Sequence, residues 1–188
     1  WQLDLSSGTA QQLTTTDAVN VEPRYSPDGK RLAYVSTAGS GHFNLFVAPI
    51  ETNKLGAARA VVAPHESKIA RYYYSKHDHT INPSWTPDGK RLVFVSNREI
   101  AYGSGDLCNA AVEGANELEC FVHEETSWRA RPEVAPDGRR VLYSSYQGRQ
   151  WQQLWLTTLA GDAQLPLTFG EFDATQARWS PDGRRIAY

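Results

Sequence analysis

The sequence predicts an all-β fold, and three observations carry the prediction. A thirteen-residue pattern occurs four times: Glu22-Pro-Arg-Tyr-Ser-Pro-Asp-Gly-Lys-Arg-Leu-Ala-Tyr34, Asn82-Pro-Ser-Trp-Thr-Pro-Asp-Gly-Lys-Arg-Leu-Val-Phe94, Arg131-Pro-Glu-Val-Ala-Pro-Asp-Gly-Arg-Arg-Val-Leu-Tyr143 and Gln176-Ala-Arg-Trp-Ser-Pro-Asp-Gly-Arg-Arg-Ile-Ala-Tyr188. Its Pro-Asp-Gly units start at Pro27, Pro87, Pro136 and Pro181, at intervals of 60, 49 and 45 residues, close to the period of a four-stranded blade. Each unit has turn chemistry. Proline sets φ at the first corner of a type I turn, aspartate suits the second, and glycine takes the left-handed position that follows. Alternating apolar runs then flank every turn, as in Leu32-Ala33-Tyr34-Val35 and Leu92-Val93-Phe94-Val95. Together these give a β-propeller segment of four-stranded antiparallel blades, four blades' worth in all.

Residues 1–21 read as the two outer strands of a blade, over Trp1–Leu5 and Gln11–Thr14. Residues 22–81 form blade 1 and a connection, 82–130 blade 2, 131–175 blade 3, and 176–188 the two inner strands of a further blade. Third strands fall at Asn44–Ala48, Gly105–Cys108 and Gln153–Leu156, and fourth strands at Ala60–Val62, Glu119–Val122 and Gln164–Thr168, which makes sixteen strands. Lys54–Tyr74 has alanine spacing that also suits a helix, but Pro64 and the repeat phase oppose one. Both termini lie inside strand patterns, so the expectation is a piece of a longer protein. Either the Trp1 strands complete the blade begun at Gln176, or the segment belongs to a larger propeller; the second is favoured, because four blades is the lower limit for closure.

With 19 Lys and Arg against 21 Asp and Glu, bulk electrostatic binding to nucleic acid is not expected. No apolar run reaches the length of a membrane span. The basic pairs after each glycine (Lys30-Arg31, Lys90-Arg91, Arg139-Arg140, Arg184-Arg185) read as solvated turns that blunt strand edges.

The repeated (Trp/Tyr)-Ser-Pro-Asp-Gly-(Lys/Arg)-Arg-(Leu/Ile)-Ala-Tyr pattern resembles the Pro-Asp variant of the WD-type propeller repeat. That repeat is found in TolB and in the propellers of tricorn-like and prolyl-oligopeptidase-like peptidases. Blade 2, with Tyr72-Tyr73-Tyr74-Ser75-Lys76-His77-Asp78-His79 and Val95-Ser96-Asn97-Arg98, is similar to TolB-like propellers joined to bacterial amidohydrolase-type metal hydrolases. Blade 3 departs from the pattern, with Val134-Ala135 where Trp-Ser is usual. The resemblance implies a bacterial periplasmic module that binds a protein or peptide. It docks partners, or gates substrate for a catalytic domain in the same full-length chain. No cofactor is implied.

The Pro-Asp-Gly rim is short and stereotyped, whereas the opposite rim varies, and variable loops on a rigid scaffold are where binding concentrates. Its longest connection is Ala63–Ile81, and Asn97–Ser104 belongs to the same rim. Tyr72, Tyr73, Lys76, His77, His79, Arg98 and Tyr102 are the candidate binding residues. Three consecutive tyrosines cannot share one side of a strand, and exposed aromatics beside cations anchor interfaces; the alternative is that they fill the wedge between blades. His77 and His79 share a strand face, from which Asp78 points away, and no third ligand completes a metal site. Glu22, Asn82, Arg131 and Gln176 occupy equivalent places five residues before each Pro-Asp-Gly, where the inner strand opens into the central channel. They bind charged groups there or pair with one another. No Gly-x-Ser-x-Gly elbow occurs, and the segment reads as non-catalytic.

Cys108 and Cys120 flank Gly114. A hairpin centred on Gly114 sets them opposite each other, either as a cross-strand disulfide, which implies an oxidising compartment, or as two thiols on neighbouring strands.

Overall fold

The structure, a computed structural model, describes residues 1–52, 54–70, 77–101, 103, 105–114, 117–123 and 130–188. Blade 1 comprises β3 (Asn20–Tyr25), β4 (Arg31–Ser36), β5 (Asn44–Glu51) and β7 (Arg59–Ala60), with a short β6 (Lys54–Leu55) folded back on the end of β5. Blade 2 is β8 (Thr80–Trp85), β9 (Arg91–Ser96), β10 (Asp106–Ala111) and β11 (Leu118–Val122), and blade 3 is β12 (Glu133–Val134), β13 (Arg140–Ser145), β14 (Gln153–Thr158) and β15 (Leu165–Pro166). All pairs are antiparallel and run in sequence order. At the ends, β1 (Gln2–Leu3) pairs with β2 (Ala10–Gln11), and β16 (Arg178–Trp179) with β17 (Ile186–Ala187). These two hairpins stay in separate sheets, so among the described residues they do not form a common blade. The strand β6 is additional to the sixteen expected. Lys54–Leu55 returns against Glu51 and Ile50, and extended pairing replaces the helical option for this stretch.

Each Pro-Asp-Gly closes as its chemistry predicts. The glycine N–H donates to the carbonyl three residues back, at 2.8–2.9 Å in all four copies. The glycines sit at φ 67–70°, where a Cβ is disfavoured. The inner strands carry a second regular feature. Glu22, Asn82, Arg131 and Gln176 all have positive φ, between 40 and 58°. In β3 and β8 this residue and the following proline form a bulge, with Val21 opposite Val35 but Arg24 opposite Ala33, and Ile81 opposite Val95 but Ser84 opposite Val93. Pairing resumes beyond the bulge, so the two strands begin at Asn20 and Thr80 rather than at residues 22 and 82.

The core lies between blades. Ala33, Leu45, Val47, Val61 and Val62 of blade 1 pack on Trp85, Leu92, Phe94, Cys108 and Ala110 of blade 2. Val95, Leu107 and Val122 then meet Tyr143 and Trp155 of blade 3. A blade is covered on both faces, which is why Leu92–Val95 is buried at every residue rather than at alternate ones. No helix among the described residues is long and apolar enough to cross a membrane.

Candidate functional site

The rim opposite the Pro-Asp-Gly turns gathers three loops around a buried carboxylate. Asp78, 6% exposed, is flanked by the half-buried His77 and His79 just before β8 begins at Thr80. Its Oδ2 meets His65 Nδ1 at 2.5 Å and accepts from Arg98 Nε at 3.2 Å. Arg98 also donates to the Ala63 carbonyl at 3.2 Å, and His65 Nε2 lies 3.4 Å from Glu99 Oε1. The His79 N–H donates to Asn97 Oδ1 at 2.8 Å. His77 stacks on His42 with ring centroids 4.3 Å apart. At the foot of the second loop, Gly105 has φ +110°, and a Cβ there would stand 1.9 Å from the Ser96 carbonyl oxygen, so only glycine lets β10 start so close to β9.

The sequence-predicted His77, His79 and Arg98 are thus brought together, with Arg98 committed to bracing Asp78. Tyr72, Tyr73, Lys76 and Tyr102 lie outside the described residues. Asp78 as the hub was not legible, because its partners are 13 and 20 residues away in sequence. Among the described residues, no group of three or more His, Cys, Asp or Glu side chains is placed to hold a metal.

The inner strands supply a second constellation. Glu22 accepts from the Asn82 backbone N–H and from its side-chain amide, both at 2.6 Å. Asn82 Oδ1 accepts from the Arg131 N–H at 3.3 Å, and Arg131 Nη1 donates to Gln176 Oε1 at 3.4 Å. The four starters therefore pair from blade to blade. Strand alternation adds a second tier two residues on: Arg24, Ser84, Glu133 and Arg178. Arg178 pairs with Glu133 at 3.3 Å, and Ser84 Oγ accepts from the Val134 N–H at 3.0 Å. Sequence reading missed this tier, although the repeat position that marked residues 22, 82, 131 and 176 marks 24, 84, 133 and 178, three residues before each Pro-Asp-Gly, in the same way. Burial pushes the Glu133 carboxyl above the usual carboxylate range, against the pull of Arg178 and Arg24. Burial also lowers the Arg24 guanidinium, helped by the charge on Arg178 and opposed by Glu133 and Glu22. Glu22, Arg24, Asn82, Arg131, Pro132 and Arg178 line a cavity of about 100 Å³.

On the Pro-Asp-Gly rim the basic pairs need a correction. Lys30, Lys90, Arg139 and Arg184 are exposed, as expected, but the second member of a pair can staple one blade to the next. Arg31 lies 5.0 Å over the Trp85 ring and donates to the Gly89 carbonyl at 2.7 Å. Arg140 repeats this on Trp179, at 4.6 Å, and on the Gly183 carbonyl, at 3.2 Å. The cause is the tryptophan before the next blade's turn, Trp85 or Trp179, which offers a π-face to a guanidinium arriving from the preceding blade. In blade 2, Cys108 and Cys120 are opposite residues of the β10–β11 ladder and form a disulfide.

The comparisons with known proteins agree with this architecture. The family model of the TolB beta propeller domain matches residues 1–183. The Tol-Pal system protein TolB of Francisella tularensis subsp. holarctica (strain OSU18) is 24% identical over 217 residues, covering 96% of this chain and 48% of the relative. The uncharacterized peptidase YuxL of Bacillus subtilis (strain 168) is 37% identical over 135 residues, covering 71% of this chain and 18% of the relative. The chain thus spans about half the length of the TolB relative and a small part of the peptidase. The crystal structure of TolB from Acinetobacter baumannii superposes with a TM-score of 0.69 at 18% identity, over 93% of this chain and 38% of that one. Four Pro-Asp-Gly turns, antiparallel four-stranded blades and the match over residues 1–183 place the chain in the TolB beta propeller domain family.

Proposed function

We propose that the chain is the non-catalytic binding or substrate-gating propeller of a larger bacterial periplasmic hydrolase, acting on a protein or peptide. The observation that carries this reading is the two-tiered ring of Glu22, Arg24, Asn82, Arg131, Glu133, Gln176 and Arg178. It lines the inner strands with charge, its first tier in mid-strand and its second tier beside the Pro-Asp-Gly turns. A hydrogen-bonded ring of this kind holds polar side chains in fixed positions, which suits recognition of a passing or docked chain. The 37% identity to a protein named as a peptidase supports the hydrolase association, and the disulfide supports an oxidising compartment such as the periplasm.

A second reading is an interaction module of an envelope complex. It is favoured by the 24% identity to a Tol-Pal system protein along 96% of the chain.

The test is kinetic. In the full-length protein, Arg131→Ala should raise KM for long peptides and leave kcat on a minimal substrate unchanged. A fall in kcat on the minimal substrate would overturn the non-catalytic assignment. Tight binding of an envelope protein by a full-length protein without hydrolytic activity would select the second reading.

A further inference from the structure

Among the charged groups of the inner ring, Arg24 stands apart. Glu22 is engaged by Asn82, Glu133 by Arg178, and Arg131 by Gln176. Arg24 contributes its carbonyl, which accepts from the Trp85 indole at 3.0 Å. Its guanidinium, half-buried, meets no hydrogen-bond acceptor and no ion-pair partner among the described residues. A guanidinium carries five donors in a planar fork, and holding them partly out of water without acceptors is costly. Burial is the largest cause that lowers its pKa; the charges of Arg178 and Arg131 oppose the guanidinium, and those of Glu133 and Glu22 favour it. Residues Arg24, Arg131 and Arg178 share one cavity of about 100 Å³ with Glu22.

We propose that Arg24, with Arg131 and Arg178, forms an anion subsite that receives a carboxylate of the ligand at the inner ring. The charge count selects the class of anion. Three guanidinium groups face the two carboxylates of Glu22 and Glu133, which leaves one positive charge. A monoanionic carboxylate balances it, whereas a sulfate or phosphate dianion overshoots and is repelled by both glutamates. A planar carboxylate also matches the fork of Arg24 in a two-point contact. The cavity holds such a group but not a whole peptide. The subsite therefore anchors one end or one side chain of a ligand whose remainder lies toward the rim. The proposal rests on the reading of the chain as a binding module and names the chemistry of what it binds.

The test uses the full chain and follows arginine Nε–Hε resonances by NMR at pH 6.5. The probes are acetate, sulfate and two acetylated tripeptides. One is Ala-Glu-Ala with an amidated end; the other is Ala-Ala-Ala with a free carboxylate. Acetate should shift the Arg24 resonance saturably, and sulfate should bind roughly fivefold more weakly. Arg24→Gln should weaken acetate binding about tenfold, read at the Arg131 and Arg178 signals. Tighter binding of the first tripeptide makes the source an acidic side chain, and of the second, a chain terminus; acetate alone points to a free acid. A non-saturating shift, acetate affinity unchanged in Arg24→Gln, or preference for sulfate overturns the proposal. Should Arg24→Gln fail to fold, Arg131→Gln provides the same comparison. Acetate binding needs no partner. Its failure therefore leaves the module reading standing, and loss of partner binding with acetate binding intact overturns that reading alone.

Discussion

Blades 1 and 2 meet differently from blades 2 and 3, and a single departure in the repeat accounts for it. At the first boundary Trp85 is 8% exposed, donates its indole N–H to the Arg24 carbonyl, and carries Arg31 on its face. At the second boundary the equivalent residue is Val134, also 8% exposed. It has no indole to donate and no ring to stack on. Arg91, the counterpart of Arg31, turns back into its own blade, to Asn109 Oδ1 at 2.5 Å and Glu119 at 3.7 Å. The boundary between blade 3 and β16–β17 restores the first arrangement, with Trp179 donating to the Glu133 carbonyl at 3.2 Å under Arg140. One aromatic position in the repeat thus decides whether the basic residue of the preceding turn joins two blades or stays at home.

The largest effect that sharpens this contrast is on packing. Trp85→Ala should cost about 4 kcal/mol, since it removes a buried aromatic, an indole hydrogen bond and the platform for Arg31. Val134→Ala should cost about 1.5 kcal/mol, the transfer term of two buried carbons. Denaturant unfolding of both variants checks the pair, and equal losses would break the comparison.

This is also where legibility divides. The Pro-Asp-Gly turns could be read because proline, aspartate and glycine each fix their own backbone angles locally. The Val134-Ala135 departure was equally visible as letters. Its consequence was not, because Arg31 and Trp85 are 54 residues apart and meet only after the blades stack. The same holds at the rim, where His77, Asp78 and His79 stood out as letters, while the commitment of Arg98 to Asp78 depends on a loop conformation that no local pattern specifies. In the inner ring the four starters could be aligned by eye, but their shared left-handed conformation could not. Glutamate, asparagine, arginine and glutamine have no common preference for it, and at Glu22 and Asn82 it accompanies a bulge.

Next in size is the disulfide, which belongs to blade 2 alone. The positions of Cys108 and Cys120 in the ladder correspond in blade 3 to Trp155 opposite Pro166. Reduction, or Cys120→Ser, should remove about 2–3 kcal/mol of stability for a link closing a loop of this length. Because the link closes the outer hairpin, hydrogen exchange should rise in β10–β11 before it rises in β13–β14. Uniform acceleration across both blades would show that the outer hairpin of blade 2 is not a separate unit of stability.

A smaller effect separates the two arginines. Arg31→Ala should cost about 1 kcal/mol, for one cation–π contact and one charged hydrogen bond. Arg91→Ala, whose contacts stay within its blade and whose side chain is more exposed, should cost about 0.5 kcal/mol. Introducing Val134→Trp should raise the cost of Arg91→Ala toward that of Arg31→Ala if the aromatic position governs the staple. A double-mutant cycle measures this directly, and a coupling energy near zero would refute it.

The smallest effect comes from the residue beside the aromatic. Thr86 donates its hydroxyl to Asp88 at 2.6 Å and accepts the Arg91 N–H at 3.1 Å. This hydroxyl is the main reason the Asp88 carboxyl sits below its ordinary value of 3.8. Ala135 has no hydroxyl, and Asp137 is lowered chiefly by the Arg139 N–H, with Arg140 Nε at 2.7 Å adding to it. A carboxyl lowered in the folded state contributes stability that is present above the unfolded value and lost as pH falls through the folded one. Thr86→Ala should therefore raise the Asp88 midpoint toward 3.8 and flatten the loss of stability between pH 4 and lower values. Ala135→Ser should do the opposite at Asp137, because it restores the hydroxyl that the other three turns carry. Carboxyl carbon NMR titrations of the two variants read both shifts. If the Asp88 midpoint stays where it is in Thr86→Ala, backbone N–H donation governs all four turns, and the departure at Val134-Ala135 matters only through the missing ring.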